Sequence, residues 1–253
     1  MLFSIVDYGW LCSYFLDLLY PPRCRSCGEP IRGPDARCFC PECTRSIRLI
    51  AHPLCDICGQ PFIDAAGEDH SCGACLSRPP TFTRARAWAC YPRDEGQEDP
   101  LRTVLQRFKY GKKVSLGPPL GKLLSSSALA FFRDVSLDLV VPVPLHPRRL
   151  RWRGFNQAAI LAREIGRSWH MPMDPFILFR SRETVPQTGL KGDERRKNVS
   201  GVFRVEKGES VRNKRLLLVD DVYTSGATVN ECSRVLRRAG AVEIYVLTLA
   251  RAV

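Results

Sequence analysis

The clearest pattern in this chain is a set of short apolar runs, each ending in polar or turn-forming residues. Leu216-Leu-Leu-Val219 has no polar member, as expected of a strand buried on both faces of a parallel sheet. Residues 137–145 contain a second run, Leu-Val-Val-Pro-Val-Pro. Residues 85–91, 202–205 and 244–249 supply three more strand candidates. Between them the period changes. Leu101, Val104, Leu105 and Phe108 fall at i, i+3, i+4 and i+7, which predicts an amphipathic helix over 101–109. Further helices are expected over 157–169 and 228–239. Strands alternating with helices predict βαβ units and an α/β fold built on a parallel sheet. Near the N-terminus, Leu11, Tyr14, Phe15, Leu18 and Leu19 follow helical spacing, so an amphipathic helix is expected over 1–20. Asp7 and Asp17 interrupt it and no basic segment precedes it, so it resembles neither a signal peptide nor a transmembrane helix. Packing on its own domain is the favoured reading over membrane contact.

Candidate chemistry gathers where the 216–219 run stops. Asp220 and Asp221 follow it at the carboxyl end of a parallel strand, where open α/β sheets bind ligands. Thr224, Ser225, Gly226, Ala227 and Thr228 then offer hydroxyls, a glycine and backbone N–H groups at a helix start, the makings of a phosphate cradle. Carboxylates beside such a cradle suit a ligand with anionic and hydroxyl parts, and a ribose 5-phosphate fits. The loop would take the phosphate and the acids the 2- and 3-hydroxyls. The segment resembles the motif that binds phosphoribosyl pyrophosphate (PRPP) in type I phosphoribosyltransferases.

Cysteine spacing changes the picture of the first third. The chain has 12 cysteines, and eight of them form four Cys-x-x-Cys pairs. Cys24/Cys27 and Cys40/Cys43 make one set, Cys55/Cys58 and Cys72/Cys75 another. Two such knuckles supply the four thiolates of a tetrahedral zinc site, so two structural zinc sites are expected. Sequential pairing, 24/27/40/43 with 55/58/72/75, is favoured over a cross-braced one. Cys38 competes for a place but breaks the spacing. Cys12, Cys90 and Cys232 read as small core residues, and His52 and His70 as bystanders. A module this short and this poor in large apolar side chains depends on its metal for folding. Pro79-Pro80 marks its end, giving an N-terminal helix over 1–20, a double zinc-ribbon module over 21–80 and an α/β domain over 81–253.

Charge divides the same way. The formal net charge is +12, from 38 Lys+Arg and 26 Asp+Glu. Residues 1–80 hold 7 of the basic and 9 of the acidic groups, so the positive field belongs to the remainder. Loaded zinc sites make the module more negative still, which weakens a role for it alone on nucleic acid, although Arg23, Arg25, Arg37, Arg45 and Arg48 could form a basic face. In the second part, Arg148, Arg149, Arg151 and Arg153 cluster before Gly154 in what reads as a loop between strand and helix, a candidate pyrophosphate site. The basic stretch 109–113 reads equally as a helix C-terminus or as an anion contact. Residues 180–203 are long, polar and charged, and suit a flap that closes over a reactive ligand and excludes water. No Gly-x-x-x-x-Gly-Lys-[Ser/Thr] is present, which argues against an ATP-driven motor.

Taken together, these segments resemble the ComF family of competence proteins, from Cys24 nearly to the end. The resemblance rests on the paired Cys-x-x-Cys sets, Val-Pro-Val-Pro-Leu, Arg-Gly-Phe-Asn-Gln, Gln-Thr-Gly-Leu…Arg-Arg-Lys-Asn-Val and Asp-Asp-Val-Tyr-Thr-Ser-Gly-Ala-Thr. It implies a type I phosphoribosyltransferase-like sheet flanked by helices, PRPP binding and a link to natural transformation. Carried over by motif, Asp220 and Asp221 would hold the ribose and residues 224–228 its 5-phosphate. The flap candidates are Gln187, Lys191, Arg195, Arg196 and Asn198. The expected reaction is displacement of pyrophosphate at C1 of the ribose, with Mg²⁺ as cofactor and an unidentified acceptor. Single-stranded DNA and DNA-uptake proteins are candidate partners, and the cytoplasm the expected compartment. The alternative is a non-catalytic PRPP sensor that binds single-stranded nucleic acid, with Trp152 and Phe155 as stacking candidates.

Overall fold

The computed structural model describes residues 21–31, 38–64, 67–92, 99–183 and 197–253. The helix expected over 1–20 and the flap residues Gln187, Lys191, Arg195 and Arg196 lie outside these. Seven strands are described: β1 (Arg48–Leu49), β2 (Arg84–Tyr91), β3 (Leu139–Pro142), β4 (Leu178–Arg180), β5 (Phe203–Val205), β6 (Arg215–Tyr223) and β7 (Glu243–Ala252). The main helices are α1 (Pro41–Ser46), α2 (Gly73–Ser77), α3 (Pro100–Lys109), α4 (Gly117–Ala128), α5 (Pro147–Arg153), α6 (Gln157–Ser168) and α7 (Ala227–Arg238).

Five strands form one sheet in the order β1-β2-β7-β6-β3. The pairs β2–β7, β7–β6 and β6–β3 are parallel, and only β1 runs antiparallel. The central strands are apolar because both faces are covered. Leu216 and Leu218 pack on one face with Val229, Cys232 and Leu236 of α7, whereas Leu217 and Val219 pack on the other with α3, α4 and α6. Leu101, Val104, Leu105 and Phe108 of α3 are all buried, as their spacing requires, and Asp99 caps the helix by accepting from the Arg102 N–H.

Two expectations are corrected. Residues 203–205 do form a strand, but β5 pairs antiparallel with β4 in a separate two-stranded ribbon, outside the parallel sheet. The segment bearing Arg148, Arg149, Arg151 and Arg153 is not a loop. It is the short helix α5, started by Pro147 and by His146, whose Nδ1 accepts from the Arg148 N–H. It ends at Gly154, whose φ of 85° is a left-handed value that favours glycine. The zinc module also adds to the sheet: its residues 48 and 49 form β1 on the edge of β2.

The cysteines gather as two sequential sets. The ligand atoms of Cys24, Cys27, Cys40 and Cys43 lie within 4.8 Å of one another, and so do those of Cys55, Cys58, Cys72 and Cys75. Zinc–sulfur bonds of about 2.3 Å in a tetrahedron put sulfurs roughly 3.8 Å apart. The Cys27–Cys40 and Cys58–Cys72 sulfur separations of 3.7 and 3.8 Å fit that geometry. Cys38 is buried in the core beside Phe39, and burial pushes its thiol up to about 12, so it stays a thiol. Cys90 and Cys232 are buried as expected. His52 is held by Asp69 at 2.8 Å and His70 stacks on Phe62, so neither joins a cluster. Metal analysis of purified variants tests the ligand sets: Cys38→Ser should keep two zinc ions per chain, whereas Cys40→Ser should lose the first site and keep the second.

Candidate anion and ribose site

β3 pairs with β6 only as far as Pro142 opposite Val219, and one further bond runs from the Val143 N–H to the Val219 carbonyl. β6 continues to Tyr223 beside β7. Asp220 and Asp221 therefore sit inside the strand, just past the point where its other neighbour leaves. This is the open crevice at the carboxyl end of a parallel sheet. Successive strand residues face opposite ways. Asp221 faces the α3 side, where its Oδ1 lies 2.9 Å from Lys109 Nζ. Asp220 lies in the field of Arg180 and its carboxylate accepts from the Asp221 N–H at 2.8 Å.

The strand then turns sharply into α7. Gly226 takes the left-handed φ of 74°, and no side chain caps the helix. A Cβ on Gly226 would lie 2.2 Å from the Tyr223 hydroxyl, so glycine is required for both backbone and space. The N-terminus of α7 thus starts directly after the two carboxylates, and helix N-termini are favourable places for a phosphate. Ser225 Oγ approaches the Ala227 N–H at 3.4 Å, and Thr224 and Thr228 are half-buried.

Positive groups ring this end of the strand. Lys109 acts on both acids, Arg153 on Asp221 and Arg180 on Asp220, and Arg149 lies close enough to repel Arg153 and Arg180. Of the four arginines on α5, Arg153 acts on Asp221 and Arg149 lies near Arg153 and Arg180. Arg148 is exposed and pairs with Glu183 at 3.0 Å, and Arg151 is exposed to solvent. Within Arg153-Gly-Phe-Asn-Gln157 the fold accounts for three residues. Gly154 ends α5, Phe155 stacks on Phe108 at 5.3 Å, and Asn156 caps α6 while donating to the Val143 carbonyl. The other two remain unaccounted for. Arg153 Nε and Gln157 Nε2 are buried with no hydrogen-bond partner, although Gln157 is 1% exposed. Buried polar atoms without partners are costly, which suggests an absent ligand as theirs. Sequence reading overlooked Gln157 and Arg180. Gln157 was hidden at a helix start, and Arg180 is placed by the β4–β5 ribbon. Asn198, the one flap residue described, is half-buried beside buried Val199.

Burial and then repulsion by Asp221 raise the Asp220 carboxyl from its ordinary range to about 7. The sign follows by linkage. The folded protein holds a proton that the unfolded chain releases near 3.8, so stability falls as pH rises from about 4 to about 7. Asp220→Asn should therefore raise Tm at pH 8, with the gain shrinking towards pH 4. Lys109→Met should lower Tm at pH 8 by leaving Asp221 buried without its ammonium, at a cost of about 1–3 kcal/mol. Calorimetric melts of both variants across pH check these opposite signs.

Comparison with known proteins places this geometry. Residues 152–252 match the phosphoribosyl transferase domain model and residues 15–76 the double zinc ribbon domain model. The chain is thus a type I phosphoribosyltransferase-like α/β domain preceded by a double zinc ribbon with two structural four-cysteine sites. It is 33% identical over 216 residues to the DNA utilization protein YhgH of Escherichia coli (strain K12), covering 84% of this chain and 90% of that one. It is 34% identical over 219 residues to competence protein F of Haemophilus influenzae, covering 85% and 90%. At 28% identity it also matches competence protein ComFC of Bacillus subtilis over 86% of this chain and 85% of the relative. The chain belongs to the ComF family of competence proteins. Among solved structures, an adenine phosphoribosyltransferase aligns with 16% identity and a TM-score of 0.38, covering 63% of this chain and 83% of that one.

Proposed function

We propose that the protein binds PRPP with Mg²⁺ and transfers the phosphoribosyl group to an acceptor, releasing pyrophosphate. The observation that carries this reading is the start of α7 at left-handed Gly226, directly after two carboxylates with Lys109, Arg153 and Arg180 acting on them. The 5-phosphate takes the N–H groups and hydroxyls of 224–228. Asp220 and Asp221 accept from the ribose 2- and 3-hydroxyls. The unpartnered atoms of Arg153 and Gln157, with Arg149 and Arg180, take the pyrophosphate oxygens. The bond from C1 to pyrophosphate breaks with its electron pair leaving on oxygen, and the acceptor nucleophile bonds to C1. Arg149, Arg153 and Arg180 stabilise the charge that grows on the leaving group. Bound Mg²⁺ would neutralise part of that charge. Asn198 is the described member of the proposed flap that excludes water. The names of the relatives motivate a role in DNA uptake in the cytoplasm. No helix among the described residues is long and apolar enough to cross a membrane.

A specific surface favours a second reading, a PRPP sensor that binds single-stranded nucleic acid without turnover. Trp152 is 54% exposed and Tyr110 61%, and Phe155 is not part of this surface because it packs inside on Phe108. Lys112 lies over the Trp152 ring at 5.4 Å, and Arg153 approaches both exposed rings. Exposed aromatics set among cations suit stacked bases.

Titration calorimetry separates the outcomes. The zinc-loaded protein should bind PRPP with Mg²⁺ saturably. Asp220→Asn combined with Asp221→Asn should abolish binding with fold and zinc intact, and Arg153→Ala with Gln157→Ala should weaken it at least about tenfold. Unchanged affinity in the carboxylate double variant would overturn the ribose assignment. A shift in PRPP affinity on adding a single-stranded oligonucleotide, lost in Trp152→Ala, would favour the sensor.

A further inference from the structure

The second cysteine set is wired to the anion-binding turn through one buried arginine. Arg251, near the end of β7, is 6% exposed. Its Nη1 donates to the Cys58 carbonyl at 2.6 Å, its Nη2 reaches Cys58 Sγ at 3.5 Å, and Nε and Nη2 both bond Gln60 Oε1. The same guanidinium lies 4.3 Å from the centre of the Tyr223 ring. The Tyr223 hydroxyl in turn fills the space where a side chain at Gly226 would begin. A guanidinium fork this fully engaged holds its neighbours in one geometry.

Other contacts run in parallel. Cys55, Cys58 and Cys75 belong to the same buried cluster as Tyr223, Ala227 and Val229. Phe82 packs edge-on against Tyr223 at 6.3 Å. Asn230, one turn into α7, accepts from the Thr81 N–H at 2.6 Å, just beyond the second knuckle. The floor of the turn and the second cysteine set therefore share one buried cluster, bridged by Arg251.

We propose that Arg251 and Tyr223 are positioning residues that link the second zinc site to the turn 224–228, so that metal held by Cys55, Cys58, Cys72 and Cys75 and an anion held by the turn stabilise each other. The inference rests on the phosphate reading of that turn. Energetic linkage is reciprocal, so the anion must slow loss of the metal if the metal tightens the anion. The ribbon then serves the ligand site as well as its own fold.

The test uses the full zinc-loaded chain, Arg251→Lys and Tyr223→Phe. Tyr223→Phe leaves the knuckle's own bonds intact. Hydrogen exchange of the 225–230 amides should speed up about tenfold in both variants while the β6 and β7 amides stay protected. Zinc transfer to a colorimetric chelator should be biphasic. PRPP with Mg²⁺ should slow one phase in the parent several-fold, and that slowing should be lost in both variants. Unchanged exchange at 225–230 in both variants, with zinc content unchanged, would overturn the inference. If the parent bound no PRPP, the phosphate reading would fail, and the exchange result would still decide the link.

Discussion

Two adjacent carboxylates on one strand, past the reach of that strand's neighbour, set the requirements for everything around them. Asp220 and Asp221 face opposite sides of the sheet and share Lys109, which pairs with Asp221 and acts on both, while Arg153 acts on Asp221 and Arg180 on Asp220. Even so, burial and the neighbouring Asp221 hold the Asp220 carboxyl well above the ordinary carboxylate range. A site built to be stable alone would not keep such a group. In the function proposed above, a ligand that donates hydroxyls to the acids while its own anions engage the arginines relieves that strain.

The zinc module looks separable in sequence but is part of the same body. β1 extends the sheet edge, the second cysteine set shares a buried cluster with α7, and Arg107 of α3 donates to the Arg25 carbonyl of the first knuckle at 2.5 Å. The helix that carries Lys109 therefore contacts the first cysteine set, and the turn that starts α7 rests on the second set. Short, core-poor modules need a metal to hold shape. Here the shape they hold is passed on to the two elements that frame the carboxylates.

Where side chains repeat with a clear period, the sequence was a good guide. The 216–219 run, the 101–108 stripe and the Cys-x-x-Cys spacing each led to the right element, because burial on two faces, on one face, or around a metal leaves a distinct spacing. The strand-to-helix turn was legible because Gly226 and its hydroxyl neighbours are adjacent in the chain. Contacts between distant segments were not. Arg180 depends on a ribbon made by residues 178–180 and 203–205, and Arg251 depends on a knuckle almost two hundred positions earlier. The α5 arginines read as a loop because seven residues are too few to show a helical period, although Pro147 and Gly154 mark both ends. Gln157 looks like any helix-starting polar residue until its burial is known.

The central claim is that the N-terminus of α7 receives the phosphate of a ribose whose hydroxyls meet Asp220 and Asp221. Amide chemical shifts test this most directly. Titration of ¹⁵N-labelled, zinc-loaded protein with PRPP and Mg²⁺ should move the Gly226, Ala227 and Thr228 N–H signals most. Pyrophosphate alone should act mainly on the signals around Arg149, Arg153 and Gln157. If PRPP left the 226–228 amides unmoved while shifting signals elsewhere, the phosphate site would lie somewhere other than this turn, and the account of the two carboxylates would fall with it.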